Sequence, residues 1–424
     1  MAAIGTFNPG SATAAINTIL TQEANRIGSD IYAQTLHTSP WIDLIKKSAF
    51  PSDMGYQLNT IIYDRSLPIK DANSDGTPDG TLGVSWTNLG PDAEDRTSAG
   101  FLTGGVKNTL APQTGKSLVD FTRSLKAYSL KRAVLESPRI NIEDLRFAAH
   151  RQEQLRAIMD ILKESTRFSW EERYRDEYDL LCANLITCAA TSTDLTTSKN
   201  SGTQTSAAKI AANATYPTAN VSNKILDGLY FKLVRAGAGT KAYGRENGRP
   251  VFGLVLSSEA SYALQTEAGF RDDVRYNASK VSELIAPLGI EKSFRGYYHL
   301  VDDMAPRFAL VSSVFTRISP YTLASDVVIP NTGYDGAAYE AAYVLHEEVM
   351  ESLIPEPISG VSGLTFNPVN YRGDFRWTNI QSELLNPDGT IGFFRGVLAS
   401  ASKPIKTNFG YVVVFQRTST TPAA

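Results

Sequence analysis

The stretch 71–80 reads DANSDGTPDG, and its carboxylate and amide side chains fall at Asp71, Asn73, Asp75 and Asp79 around Gly76. A twelve-residue calcium loop places oxygen donors at its first, third, fifth and ninth positions, a carbonyl at the seventh (Thr77 here) and a glycine at the sixth for the sharp turn. The twelfth position, where such a loop closes with a bidentate acid, is Leu82, and the neighbouring sequence predicts no flanking helices. Asp, Asn, Gly and Pro are also the residues an exposed turn favours, because they accept or cap unusual backbone. Two readings stay open: a loop stiffened by calcium, or an unliganded turn at the tip of a longer loop.

Other candidate chemistry is incomplete. His37, His150, His299 and His346 are far apart in sequence and none neighbours a cysteine, so no local zinc spacing exists. The stretch HEEVM (346–350) begins like a zincin motif, but its fifth residue is Met350. LAPQTGKS (110–117) ends like a phosphate-binding loop yet opens on Leu110 where a glycine is needed. GAGTKA (237–242) follows a helix-like segment, the reverse of the dinucleotide-binding context. GVSGL (360–364) brings its second glycine one residue early for a nucleophile elbow. The carboxylate pairs Glu347–Glu348 and Asp302–Asp303 read as solvated or interfacial. Cys182 and Cys188 fit neither a disulfide framework nor a Cys-x-x-Cys site and read as reduced thiols near a buried face.

The elements that would carry these residues can be read from pattern. The chain has 424 residues, 42% hydrophobic and 20% charged, with net charge −3; this is globular composition without the basic excess of a duplex-binding protein. No apolar run nears the ~18 residues of a membrane span, and the N-terminus lacks a signal-peptide pattern; a reducing cytoplasm is expected. Ile16, Ile19, Leu20, Ala24, Ile27 and Ile31 predict an amphipathic helix over 13–35, closed by Ser39-Pro40. YQLNTIIYDRSLP (56–68) and LGVSWTNL (82–89) predict a long hairpin around the polar stretch. Residues 116–135 are strand or helix, and Lys116, Arg123, Lys126, Lys131, Arg132 and Arg139 make 116–139 basic against Asp120 and Glu136. From 139 to 201 there is neither Pro nor Gly. Helical spacing there, with Asn141 able to cap and Glu143 and Asp144 in the first turn, predicts one helix over about 141–188, roughly 70 Å long. Residues 190–222 read as a linker, 223–305 as α/β, and the remainder as mainly β.

That order of segments resembles the major capsid protein of tailed bacteriophages, an α+β chain of the Hong-Kong-97-like fold. SPWIDLIKKSAFPSDMGYQLNTIIYDRSLP (39–68) is similar to the family's passage from N-terminal arm into its extended loop. The 141–188 helix resembles the spine helix of the peripheral domain. NGRPVFGLVLSSEASYALQTE (247–267) and FRGYYHLVDDMAPRF (294–308) resemble the axial domain, and GTIGFFRGVLASASKPIKTNFGYVVVFQR (389–417) the terminal return of the chain.

The resemblance implies an N-arm (1–50), an extended β-hairpin or E-loop (51–115), the first part of a peripheral domain (116–222), an axial domain (223–305, reaching towards 350) and return strands (306–424). It implies a non-enzymatic subunit that assembles into pentamers and hexamers of an icosahedral virion, with no membrane partner. Its partners would be copies of itself, a separate scaffolding protein, a portal protein, a decoration protein and packaged DNA. Asp71, Gly76, Gly80 and Trp86 would then belong to the intersubunit loop, and the basic run would face DNA non-specifically or pair with acids between subunits. An encapsulin-type cargo shell resembles the same fold, and a hydrolase with a calcium-stiffened loop is the enzymatic alternative.

Overall fold

The computed structural model describes residues 40–51, 55–65, 68–71, 80, 82–83, 116–118, 121–142, 151–189, 195–198, 204–246, 248–267, 296–325, 327–356, 370–380, 386 and 388–417. The helix expected over 13–35, most of the strand expected over 82–89, and the segments 110–115, 143–150 and 281–290 lie outside them.

The described chain opens with a short helix α1 (Pro40–Leu44) and strand β1 (Lys46–Phe50), then β2 (Gln57–Arg65) and β3 (Ile69–Asp71). It continues with β4 (Lys116–Leu118), β5 (Phe121–Ser129), β6 (Lys131–Glu136), β7 (Ile140–Asn141) and the long helix α2 (Arg151–Leu181). Strands β8 (Asn184–Thr187) and β9 (Leu195–Ser198) precede helices α3 (Ser206–Asn213) and α4 (Asn223–Arg235). Next come β10 (Gly244–Glu246), β11 (Arg249–Leu256), α5 (Ser258–Thr266) and β12 (Tyr297–Val301). The β-rich remainder is β13 (Arg307–Val311), β14 (Val314–Ile318), β15 (Tyr321–Ala324), β16 (Val327–Pro330), a one-turn α6 (Thr332–Asp335), β17 (Tyr339–Leu345), β18 (Met350–Pro355), β19 (Arg372–Asn379), β20 (Ile391–Pro404) and β21 (Tyr411–Gln416). The fold is α+β.

A nine-stranded sheet forms the centre, in the order β10-β11-β17-β21-β8-β9, with β12 on β11 and the β13–β14 hairpin on β17. Its central strands β11, β17 and β21 are apolar on both faces, as burial from two sides requires. Along β21, Val412 and Val414 enter one core while Tyr411, Val413 and Phe415 enter the other. Along β17, Ala341, Tyr343 and Leu345 face the first core, and Ala342 and Val344 the second. Strand side chains alternate, so one sheet serves two layers. Helix α2 covers the first face with Trp170, Tyr174 and Tyr178, joined by Trp41 from α1. Helix α4 covers the second with Ile225, Leu226, Leu229 and Leu233, joined by Ala260 and Leu264 of α5. Ser222 and Ser257 cap α4 and α5 by accepting from Ile225 N and Ala260 N.

A six-stranded sheet is organised by the long strand β20, which pairs with β19, β18, β6 and β7; β1 lies parallel to β18 at the edge. Trp377 and Phe394 meet edge-on at 5.2 Å, above Met159 and Leu162 of α2.

The long helix is shorter at its end than expected. It stops at Leu181, and Asn184–Thr187, expected inside it, forms β8 parallel to β21. Leu185 and Ile186 point into opposite cores, which a strand permits and one face of a helix does not. The Asn184 amide fixes the turn by donating to the Asn408 carbonyl at 2.8 Å.

Two compact units divide the chain. One is Asn59–Ala127; the other holds everything else. In the first, β2 pairs with β5, and β3 runs antiparallel to β4. The described strands that pair with β2 and β3 are thus β5 and β4; of the strand expected over 82–89, Leu82 bridges Ile69, and 84–89 lie outside the described residues. The strand-or-helix ambiguity of 116–135 resolves as strand throughout its described part.

Candidate intersubunit surfaces

The two strands that frame the ribbon alternate regularly. In β2, Gln57, Asn59, Ile61 and Tyr63 are exposed while Leu58, Thr60 and Ile62 are half-buried; in β5, Arg123, Leu125 and Ala127 are exposed while Lys126 and Tyr128 are half-buried. Period-two alternation puts Ile61, Tyr63 and Leu125 on the outward faces. Tyr63 is 63% and Leu125 61% exposed. A ribbon of two strands cannot bury both faces by itself.

Of the loop residues singled out in the sequence, Asp71 ends β3 with its backbone opposite Lys116. Gly80 is exposed at φ 73°, a left-handed turn conformation that suits glycine. Asn73, Asp75, Gly76, Asp79 and Trp86 lie outside the described residues. Among the described residues no three His, Cys, Asp or Glu side chains gather as a metal would require.

The six cations of 116–139 are split between the two units: Lys116, Arg123 and Lys126 in one, Lys131, Arg132 and Arg139 in the other. Within each strand neighbours alternate, so the exposed Arg123 and the half-buried Lys126 point to opposite faces of β5. Lys131 and Arg132, both exposed, sit opposite Ser400 and Ala399 in the β6–β20 ladder. The Lys131 ammonium donates to Glu177 Oε1 at 2.5 Å, so it is engaged within its own chain. Arg139 is exposed in the link to β7.

Two further hairpins expose apolar side chains. At the tip of β13–β14, Val311 pairs with Val314 across a turn in which Ser312 and Ser313 take positive φ; both valines are exposed. In the separate β15–β16 pair, Leu323 stands opposite Val328, and each is 67% exposed.

Buried charge is placed where pattern reading did not find it. Asp302, expected at a solvated or interfacial pair, is 7% exposed. It accepts from Arg175 Nη2 at 2.8 Å and Arg175 Nε at 3.0 Å, and from the Trp41 indole at 2.8 Å. Arg175 lies 127 positions away in sequence, so no local motif announces the pair. A second group joins Arg307, Arg417, Glu259 and Glu340. Arg417 Nη2 meets Glu259 Oε2 at 2.5 Å, and Arg307 Nε lies 3.4 Å from Glu340 Oε2. Desolvation pushes the Glu340 carboxyl up, while Glu259, despite its own desolvation, is held below its ordinary value by the Arg417 hydrogen bond and the Arg307 charge. Each acid faces a guanidinium, and Arg417 also donates to the Ala337 carbonyl at 2.6 Å. The group clamps the end of β21.

His346 is a satisfied core residue. Its Nδ1 accepts from Glu348 N at 3.0 Å, which places the proton on Nε2, 2.8 Å from the Ala238 carbonyl. Cys182 and Cys188 are buried thiols, as their spacing predicts.

No family model and no curated protein matches the sequence. Among solved structures, the chain is similar to the capsid of Ralstonia phage GP4, at 10% identity and TM-score 0.45 over 90% of this chain and 89% of that one. It is also similar to the capsid of cyanophage P-SCSP1u, at 8% identity and TM-score 0.42 over 88% and 87%. A third similarity is to the holo-SrpI encapsulin complex of Synechococcus elongatus PCC 7942, at 10% identity and TM-score 0.40 over 91% of each chain. TM-scores below 0.5 transfer no residue's role to this chain.

Proposed function

We propose that this chain is the major capsid protein of a tailed bacteriophage, with the Hong-Kong-97-like fold, building an icosahedral shell of pentamers and hexamers around the genome. The observation that carries the reading is the ribbon of Asn59–Ala127, which turns Ile61, Tyr63 and Leu125 outward. Exposed apolar ribbon is a liability for a chain that works alone, and an asset for one that completes its fold against a neighbour. Contacts of this heterologous kind, repeated, close into rings and shells. The order of elements supports the same reading: arm root, ribbon, long helix, α/β block, β-rich return.

In this account 1–50 is the arm, the E-loop runs from 51 through the return strand β5, α2 is the spine of the peripheral domain, and the block around α4 and α5 belongs to the axial domain. Stretch 71–80 is the turn of the loop, and a melting midpoint unmoved by millimolar calcium is the expected result. Scaffolding protein, portal protein, a decoration protein and packaged DNA are the further partners, and the subunit acts by assembly within the virion, without catalysis. Among the described residues no helix is long and apolar enough to cross a membrane.

Electron microscopy of the protein expressed with its scaffold tests the proposal. Closed particles or capsomers are expected; a monodisperse monomer would contradict it. Particles that fill with protein cargo and exclude DNA would favour the encapsulin-type shell.

A further inference from the structure

Helix α4 has two apolar faces. The inner one is core. The outer one carries Phe231, 67% exposed, and Val234, 40% exposed, among the exposed cations Lys224, Lys232 and Arg235. Positions 224, 228, 231 and 235 are spaced four, three and four apart, which lines them along one helical stripe. The Phe231 ring leans on Tyr230 at 6.0 Å, so it stands on a fixed support.

A second observation lies in the same stripe. Residue 228 is glycine, in the interior of a thirteen-residue helix, where glycine is the poorest ordinary helix former. Its φ is not positive, and a Cβ built there meets no heavy atom within 4 Å. Nothing in the described protomer needs the missing side chain. A glycine kept on an open helical face, beside an exposed phenylalanine, lets another backbone approach closely.

The charge of that approaching segment can be read from the same sequence. Between Lys70 and Arg96 there is no Lys or Arg, while Asp71, Asp75, Asp79, Asp92, Glu94 and Asp95 supply six acids around Trp86. We propose that the outer face of α4, with Gly228 as its floor and Phe231 as its anchor, docks the acidic stretch 71–95 of a second copy of this chain. The inference rests on the reading of the ribbon as an intersubunit element and names the surface it reaches. Opposite charges set the register and speed encounter, and an aromatic anchor in a desolvated centre supplies most of the affinity.

Full-length variants expressed with the scaffold decide the matter, each scored for melting midpoint of the protomer and for assembled fraction by sedimentation. Gly228→Ala should raise the midpoint by about 2 °C, because alanine favours the helix. It should also lower the assembled fraction about tenfold, because the methyl group blocks the approach. Phe231→Ala should leave the midpoint near wild type and lower assembly about tenfold or more. Lys224→Glu with Arg235→Glu should impair assembly, and adding Asp92→Lys with Asp95→Lys should restore it. A Gly228→Ala protein that is more stable and assembles like wild type overturns the proposal, as does a charge reversal that the acidic-stretch lysines fail to rescue. Variant particles that form normally but hold less DNA would assign the face to phosphate and overturn it too. A wild-type protein that never assembles sinks the shell reading as well; wild type and all variants assembling alike sinks this inference alone.

Discussion

Asp302 shows how much of this molecule is decided by single buried charges. Its carboxylate joins Arg175 on α2 to the Trp41 indole at the root of the N-terminal segment, with Met304 N donating a further bond at 3.1 Å. Replacing it by Asn keeps the shape but strands Arg175, which is 2% exposed. Breaking such a pair costs about 3–5 kcal/mol, so Asp302→Asn should lower the unfolding free energy measured in denaturant by that amount, and a loss below about 1 kcal/mol would show the pair to be solvated. The buried histidines set a pH limit. Burial holds His299 down at about 4, and desolvation lowers His346 in the same direction. An unfolded chain takes up protons at about pH 6.5 that these folded imidazoles refuse. Stability is therefore full above about pH 6.5 and falls as pH drops towards 4, by about 3 kcal/mol for a shift like that of His299. Melting midpoints across that range should slope downward with acid, and His299→Phe should flatten the slope.

At the scale of elements, the ribbon's exposed face makes a prediction that separates folding from assembly. Ile61→Glu with Leu125→Glu alters side chains already in water, so the protomer's unfolding free energy should stay within about 0.5 kcal/mol per site while particle yield collapses. A large fall in protomer stability would mean that those side chains are covered within the chain. Much at this scale was legible in sequence. Strands such as GYVVVF and PVFGLVL announce burial on both faces, and the caps Ser222 and Ser257 fix the starts of α4 and α5. The end of α2 was not legible. Leu185 continues a helical-looking spacing, and only pairing with β21, more than 220 residues later in the chain, makes Asn184–Thr187 strand. The pairing of β2 with β5 was hidden for the same reason: register is chosen by the partner, and β5 lies far along the chain from β2. Candidate surfaces were the least legible. Basic spacing marked 116–139, yet strand alternation divides its cations between faces.

At the scale of the whole molecule, the central sheet and its two cores are complete within the described chain, while the ribbon, the β15–β16 pair and the outer face of α4 are apolar surfaces still in water. Many modest contacts of that sort, summed over a closed shell, give a durable assembly from a subunit that need not be stable to excess. The central claim is that these surfaces are finished by other copies. The most direct measurement is a particle reconstruction by electron cryomicroscopy at a resolution that traces residues 59–127 from one subunit to the next. The account predicts Ile61, Tyr63 and Leu125 covered by a neighbouring copy; finding that face folded onto its own chain, or left bare in the assembled particle, would contradict it.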